Sequence, residues 1–223
     1  LAITKANVTY NEIDSVHGHD AFLIEHKQLE KIIAPIFNKA AKTKKMKVVK
    51  FGGKSLANGK GLSTVIDIIE EKVKSGEQIT VVVSARGNTT DELEEILEKA
   101  VRNETYKTQL LAFKEYQKSI SKTVDFSSEF LKLDTLFEGV RLLRDYSQKI
   151  KDEVLAQGEL LSVKLVANLL NERAMKALPV DTRNLLKTDE NFGNAQLIGT
   201  FSKENTILYF KQFNGSTVPI VAE

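Results

Sequence analysis

The residues best suited to chemistry lie in the segment MKVVKFGGKSLANGKG at residues 46–61. Two lysines, Lys50 and Lys54, flank the adjacent glycines Gly52 and Gly53. Glycines let backbone N–H groups approach an anion closely and lysines supply positive charge, so the pattern suits a phosphate-binding loop. A simple turn between a strand and a helix would use the same glycines, and the residue types leave both interpretations equally open.

Two more specific sites are disfavoured in this segment. The Walker type of phosphate loop needs a glycine five positions before the Gly of GKS, where this chain has Val48. A nucleophile elbow would centre on Ser55, but Ala57 stands where G-x-S-x-G requires its last glycine. The histidine base available to it, His19, lies upstream of the serine, against the chain order of hydrolase folds.

The elements that would position the glycine segment follow an α/β pattern. Residues 47–51 and 78–85 are typical of strands, and residues 61–76 between them are typical of a helix that ends at Gly76. Such a βαβ unit predicts two parallel strands, with the glycines at the carboxyl end of the first. Residues 91–174 are almost wholly helical in pattern.

The C-terminal part of the chain returns to strand patterns. Residues 176–182 and 216–222 are typical of strands, and a helix is predicted near 203–213 between them. The alternation of strands and helices over the whole chain indicates the α/β class.

Composition excludes several classes of protein. The chain has 32 basic and 30 acidic side chains in 223 residues, a balance that gives no broad basic surface for nucleic acid. Cysteine is absent, which excludes disulfides, thiolate metal sites and a cysteine nucleophile, and we expect a cytoplasmic protein. The apolar runs are much shorter than the ~18–20 residues that span a bilayer, so we expect no membrane span.

Four segments in one order carry a resemblance to a known family: KFGGKS at 50–55, VVVSARGNTTDEL at 81–93, GELLSVKLVANLLN at 158–171 and VDTRNLLKTDENFGNAQ at 180–196. They resemble the conserved blocks of aspartate kinases, in which Gly-Glu-x-x-Ser starts a helix. The resemblance implies the amino acid kinase fold, an open and mostly parallel sheet flanked by helices. It also implies transfer of the γ-phosphoryl group of ATP, bound with Mg²⁺, to the side-chain carboxylate of L-aspartate.

The resemblance also implies roles for residues on the nucleotide side of a site. Lys50 would neutralise charge on the transferred phosphoryl group, and Gly52 and Gly53 would place backbone donors on the phosphates. Ser84, at the end of the second strand, would place its hydroxyl in the same cleft, where nucleotide and substrate meet. The alternative for Lys50 is a solvated lysine at a strand edge.

On the substrate side, the resemblance implies that Thr90 contacts aspartate from a loop and that Glu159 helps to hold it. The alternative for Glu159 is an acid in the first turn of a helix, favoured there by the helix dipole. Asp181, Arg183 and Asp189 either shape a substrate or nucleotide loop or pair with one another in a turn. No residue set in the sequence indicates a protein-held metal.

Two positions depart from the aspartate kinase pattern. Lys54 stands where the family usually has threonine, and Glu223 stands where glycine is expected. The resemblance further implies a later Gly-Arg-Gly-Gly-Ser-Asp motif and regulatory domains that these 223 residues do not include. We therefore expect a fragment of a longer protein that is catalytically inactive alone and forms a homo-oligomer at full length.

The first residues carry a different resemblance. VTYNEIDSVHGHDAFLIEHKQLEKIIAPIF at 8–37 resembles the C-terminal end of homoserine O-acetyltransferases, whose Gly-His-Asp-Ala-Phe-Leu block carries the triad histidine. The resemblance implies that His19 is a general base whose partner serine is absent from this chain. The alternatives for HGHD are a metal site, which needs a further ligand, and a polar loop.

Two units are predicted, with a lysine-rich junction near residues 43–46. Residues 1–45 would form an acetyltransferase-like tail, with a strand at 6–13 and a linker helix at 20–45. Residues 46–223 would form the N-terminal portion of an aspartate kinase domain in a bifunctional protein. The alternative function is acetyl transfer by the parent protein, with a vestigial kinase portion used for regulation or assembly.

Overall fold

Four parallel strands form the sheet in the computed structural model, which describes residues 46–213 and 215–223. The strands are β1 (Lys47–Phe51), β2 (Ile79–Val83), β3 (Ala177–Val180) and β4 (Val218–Ala222), in the spatial order β1-β2-β4-β3. Every neighbouring pair is parallel, and Val81 of β2 lies opposite Ile220 of β4. The predicted fold class, an open parallel sheet flanked by helices, is confirmed for these residues.

Helices connect and cover the strands. They are α1 (Gly53–Leu56), α2 (Gly59–Lys74), α3 (Thr89–Val101), α4 (Lys107–Lys118), α5 (Ser127–Leu143), α6 (Gln148–Glu172) and α7 (Gly199–Phe210), with a short 3₁₀ turn at Thr182–Asn184. The long helix α6 packs against β2, β3 and β4. Within residues 46–213 and 215–223, no helix combines the length and apolar character needed to cross a membrane.

The two central strands are apolar because both faces of the sheet are covered around them. All five residues of β4 are buried, and Val81, Val83 and Ile220 are fully buried. A parallel strand covered on both faces has no polar face, which explains its continuous apolar sequence. The edge strand β1 differs, because Val48 is 70% exposed.

The predicted helix start at Gly158 is wrong, because α6 begins at Gln148. The preceding helix α5 ends where Arg144 takes a left-handed conformation, and the Ser147 side chain accepts a hydrogen bond from the N–H of Ile150. The helical pattern across residues 133–155 is therefore two helices, and Gly158 lies inside the second.

Close packing explains the glycine in the interior of α6. A Cβ atom at Gly158 would lie 2.8 Å from Cγ2 of Thr89 and 3.2 Å from Cβ of Ala85. The glycine thus lets α6 approach the loop after β2 and the start of α3, and burial of the helix offsets the usual cost of glycine there. The predicted strand at 6–13, the helix at 20–45, the junction at 43–45 and His19 lie outside the described residues.

Candidate functional site

Three strands end at one edge of the sheet and bring Lys50, Ser84 and Glu223 together. Lys50 is the fourth residue of β1, Ser84 follows β2 and Glu223 follows β4. The Nζ atom of Lys50 lies 2.6 Å from Oε1 of Glu223, and the Ser84 hydroxyl donates a hydrogen bond to Oε2 of the same carboxylate. Ligands of parallel α/β sheets bind at this carboxyl edge.

Backbone hydrogen bonds fix the spacing of these strand ends. The N–H of Ser84 donates to the backbone oxygen of Phe51 at 3.2 Å, and the N–H of Glu223 donates to that of Val83 at 3.2 Å. Because the ladder continues to the last residue of each strand, the side chains that follow are held side by side.

Glu159 faces the Lys50–Glu223 pair from the middle of α6. The pKa of Glu159 is raised to about 7, mainly by burial and also by the Glu223 carboxylate, while Lys50 acts in the opposite direction. The helix-dipole alternative for Glu159 is wrong, because the first turn of α6 lies at Gln148 and not at Gly158. A half-buried carboxyl with a pKa near neutrality can exchange its proton when a charged ligand binds.

The Lys50–Glu223 pair is open to solvent. The Lys50 side chain is 54% exposed and the Glu223 side chain 44% exposed. The hydrogen bond from Lys50 lowers the pKa of Glu223, and the one from Ser84 lowers it further. An exposed ion pair contributes little net stability, so an incoming anion can displace the carboxylate of Glu223 from Lys50 at small cost.

The two adjacent glycines have different surroundings. A Cβ atom at Gly53 would lie 2.3 Å from the backbone oxygen of Ala85, whereas a Cβ atom at Gly52 would meet no atom within 4 Å. Gly53 also accepts a hydrogen bond at 2.9 Å from the N–H of Gly87. Packing of the two loops therefore explains Gly53, but it does not explain Gly52, which has φ −75° and open space beside it.

The two threonines after β2 also differ. Thr89 is fully buried; its hydroxyl donates to the backbone oxygen of Arg86 at 2.5 Å and accepts from Nε2 of Gln117 at 2.8 Å. Thr90 is exposed in the first turn of α3. Because Gly158 packs on Thr89, the first turn of α3 lies beside the part of α6 that carries Glu159. The role of Thr90 stays a prediction.

Asp181 and Arg183 form a turn, as one of the two interpretations predicts. Arg183 donates from Nη2 to Oδ2 of Asp181 at 2.8 Å and from Nε to Oδ1 at 3.0 Å. A further contact joins Nη1 of Arg183 to Oε1 of Glu153 at 3.1 Å. Asp189 accepts from the N–H of Gln196 at 3.0 Å and so closes its own loop. Lys54 lies exposed on α1.

Sequence reasoning missed two residues behind the glycine loop, Arg86 and Tyr116. Arg86 is 1% exposed and donates from Nε to the backbone oxygen of Leu56 at 3.1 Å. The hydroxyl of Tyr116 donates to the backbone oxygen of Ala57 at 2.6 Å. An arginine inside a segment of small loop residues predicts a solvated side chain, so the sequence carries no direct signal of this burial.

Carboxylates near the site are few. In the part of the chain that the structure describes, no three histidine, cysteine, aspartate or glutamate side chains are grouped so that they could hold a metal ion. Glu223 forms an ion pair with Lys50, and the charges of both residues act on the Glu159 carboxyl.

Comparison with known proteins identifies a family. Residues 45–223 match the amino acid kinase family. The aspartokinase of Chlamydia muridarum is 32% identical over 182 residues, covering 76% of this chain and 40% of that protein. The bifunctional aspartokinase/homoserine dehydrogenase of Buchnera aphidicola is 29% identical over 175 residues, covering 72% of this chain and 21% of that protein. The chain thus spans less than half the length of either relative.

Solved structures show the same fold. E. coli aspartokinase III in complex with aspartate and ADP superposes with a TM-score of 0.69 at 24% identity, covering 80% of this chain and 40% of that chain. Its complex with lysine and aspartate gives a TM-score of 0.64 at 23% identity, covering 79% and 40%. The family match extends over the whole sheet and all the helices described. The chain therefore belongs to the amino acid kinase family.

Proposed function

We propose that the protein transfers the γ-phosphoryl group of ATP to the side-chain carboxylate of L-aspartate, which gives 4-phospho-L-aspartate and ADP. The observation that carries the proposal is the contact of Lys50 and Ser84 with one exposed carboxylate at the carboxyl edge of the sheet, with Glu159 close enough to feel the charges of Lys50 and Glu223. Similarity to aspartokinases over more than two thirds of this chain supports the choice of donor and acceptor.

Lys50 would act on the phosphoryl group. In the resting chain its charge is balanced by Glu223. When the phosphates of ATP take the place of that carboxylate, Lys50 contacts phosphate oxygens instead, and the open space beside Gly52 leaves room for them. An oxygen of the aspartate carboxylate then attacks the γ-phosphorus, the bond to ADP breaks, and its electron pair leaves on the β-phosphate oxygen. Lys50 stabilises the charge on the transferred group.

Glu159 would hold the ammonium group of aspartate. Its burial makes the protonated form dominant below a pH of about 7, and a cation beside it favours ionisation. Aspartate binding would therefore release a proton from Glu159 near neutral pH. Ser84 would remain a hydroxyl donor for an anionic group once Glu223 moves away.

Mg²⁺ would enter with the nucleotide and neutralise charge on the phosphate oxygens. Magnesium in such sites keeps several waters and takes one or two carboxylates in addition to phosphate. Its other ligands would be phosphate oxygens of the nucleotide, so the roles proposed for Glu159 and Glu223 do not depend on the metal.

The experiment that tests the proposal traps the acyl phosphate. The protein is incubated with ATP, Mg²⁺ and L-aspartate in the presence of hydroxylamine, and aspartyl hydroxamate is measured. Hydroxamate should form with aspartate, and reactions with glutamate or without ATP serve as controls. ATP binding without hydroxamate formation from any carboxylic amino acid, in the full gene product, would contradict the proposal.

We also propose that the chain acts within a longer bifunctional protein and has little activity alone. The support is its coverage of only 21% to 40% of the relatives described above. Equilibrium binding of ATP to the 223-residue chain separates nucleotide binding from phosphoryl transfer, because the chain contains the phosphate site proposed at Lys50, Gly52 and Gly53. The acetyltransferase-like role of His19, the homo-oligomer and the cytoplasmic location stay predictions.

A further inference from the structure

Arg86 is a buried cation held entirely by neutral oxygen atoms. Besides the bond from Nε to Leu56, it donates from Nη1 to the backbone oxygen of Tyr116 at 2.7 Å and from Nη2 to Oγ of Ser119 at 3.5 Å. None of the ion pairs in residues 46–213 and 215–223 includes Arg86. Burial lowers its pKa, although an arginine stays charged. A buried charge without a counterion is costly, so its contacts call for an explanation.

Tyr116 is part of the same arrangement. The guanidinium carbon of Arg86 lies 3.9 Å from the centre of the Tyr116 ring, a cation–π contact. A Cβ atom at Gly87, whose φ is +61°, would lie 2.8 Å from the Tyr116 hydroxyl. The loop after β2 therefore needs glycine where Tyr116 passes over it to reach the backbone oxygen of Ala57.

Both side chains act on the segment that continues from the glycine loop. Leu56 is the last residue of α1 and Ala57 follows it, so the two accepted hydrogen bonds lie at the end of that helix. The helix has four residues and no side-chain cap at Gly52. A helix this short is not stable by itself and takes its order from tertiary contacts.

We propose that Arg86 and Tyr116 are positioning residues that fix the segment Gly52–Ala57. This segment forms the side of the proposed phosphate site that lies beside Lys50. They clamp the end of the segment, while Gly53 is packed on Ala85 at its beginning. The inference rests on the proposed phosphoryl transfer. Catalysis that depends on positioning is sensitive to displacements of about 1 Å, which can cost about 100-fold in rate.

The proposal predicts a split between the two substrates. Loosening the segment should weaken interactions with the phosphates of ATP, since the segment lies beside Lys50, and should leave the aspartate side at Glu159 little changed. A residue that only stabilised the fold would weaken both or neither. A loss of ATP affinity without a loss of aspartate affinity therefore distinguishes a positioning role from a purely structural one.

Tyr116→Phe is the sharpest variant, because it removes one hydroxyl and keeps the ring over Arg86. Tyr146→Phe is its matched control: the Tyr146 hydroxyl is also half-buried and donates at 2.7 Å to Oε1 of Glu98, between α3 and the start of α6. Because one hydrogen bond to the segment is lost, we expect the affinity for ATP to fall about fivefold in Tyr116→Phe. We expect the affinity to stay unchanged in Tyr146→Phe. Equilibrium dialysis with labelled ATP measures both.

Arg86 variants extend the test to the reaction rate. In the full gene product, Arg86→Met should lower kcat about 100-fold, with KM for ATP raised more than KM for aspartate. Arg86→Lys should recover part of the loss, because lysine keeps the charge but cannot reach all three oxygens with one ammonium group. If Arg86→Met does not fold, Tyr116→Phe alone decides the question.

The outcomes separate this inference from the proposed function. Wild-type protein that fails to bind ATP contradicts the proposed function. Wild-type protein that binds ATP, with Tyr116→Phe and Tyr146→Phe binding it equally well, overturns the positioning role alone. A fall in ATP and aspartate affinity by the same factor in Tyr116→Phe would also overturn it.

Discussion

The open edge of the sheet and the packed layer behind the glycine loop each hold one cation, and the two are used in opposite ways. Lys50 at the edge is 54% exposed and is balanced by a carboxylate that an anion can displace. Arg86 behind the loop is 1% exposed and is held by oxygens that belong to the fold. The difference shows that one charge is available to a ligand and the other is committed to structure.

The adjacent glycines Gly52 and Gly53 show the same contrast between an open and an enclosed position. Gly53 is enclosed by the backbone of the loop after β2, whereas Gly52 borders open space. The boundary between the open sheet edge and the packed layer thus lies between these two residues. Variants on each side of it should fail in different ways.

The largest effect is expected at Lys50. In the full gene product, Lys50→Ala should lower the rate of phosphoryl transfer by roughly two to five decades, because cations that stabilise the transferred group contribute that much in related reactions. Its stability should change little, since the ion pair is exposed. Lys47→Ala, which removes an exposed lysine from the same strand and its 2.8 Å contact with Glu77, is the control. Hydroxamate formation and thermal unfolding measure both, and an unchanged rate in Lys50→Ala would remove this residue from the site.

The next largest effects are expected from alanine substitutions at Gly52 and Gly53. Gly53→Ala should destabilise the fold by about 1–3 kcal/mol, because its Cβ would clash with the backbone of Ala85. Gly52→Ala should unfold like the wild type, since φ at this position suits alanine, but it should bind ATP more weakly. Denaturant unfolding and ATP dialysis on both variants test the contrast. Equal losses of stability in the two variants would show that Gly52 is also a packing residue.

Glu159 gives a pH dependence with a defined sign. Its pKa is raised from 4.5 to about 7, so the carboxylate that would hold an ammonium group forms only as the pH rises through about 7. Aspartate affinity should therefore increase across this range, and Glu159→Gln should flatten the profile. Isothermal titration between pH 6 and 8 measures it.

Stability should respond to the same titration in the opposite direction. Between 4.5 and about 7 the folded protein keeps a proton on Glu159 that the unfolded chain has lost, so raising the pH through this window lowers the free energy of unfolding. Glu223→Gln should move the upper end of the window to lower pH, because the negative charge that raises the pKa of Glu159 is removed. An unmoved midpoint would show that the two carboxyl groups do not interact.

The smallest effect is expected at the turn of Asp181 and Arg183. Asp181→Asn should cost about 0–1 kcal/mol, because the pair is partly exposed and its charges serve the turn. ATP and aspartate affinities should stay at the wild-type values. A tenfold loss of aspartate affinity with unchanged stability would move this pair from the turn into the substrate site.

The sequence predicts the strands and the edge at which they meet. Apolar runs at β2 and β4 are typical of covered parallel strands, and a βαβ unit brings Lys50 and Ser84 to the same edge. The sequence also predicts the helical segments, but it indicates a helix start at Gly158, whereas the break between α5 and α6 lies at residues 144–147. That break depends on the left-handed conformation of Arg144, and an arginine at this position does not predict such a conformation.

The support behind the loop could not be predicted because it depends on tertiary contacts alone. Arg86 is polar and lies in a loop segment, so its type predicts exposure, and only the approach of Tyr116 from α4 makes its burial possible. A similar reason applies to Gly158, which the sequence pattern predicts at a helix start and the structure places inside α6. The sequence alone does not distinguish a glycine that close packing requires inside a helix from a glycine that begins or ends one.

The most direct test of the account is ATP binding to Lys50→Ala and Glu223→Gln, measured side by side by equilibrium dialysis. In the proposed reaction, the phosphates of ATP replace the Glu223 carboxylate beside Lys50. Binding should therefore weaken in Lys50→Ala and tighten in Glu223→Gln, where no carboxylate competes for the lysine. Weaker binding in both variants, or no change in either, would contradict the account.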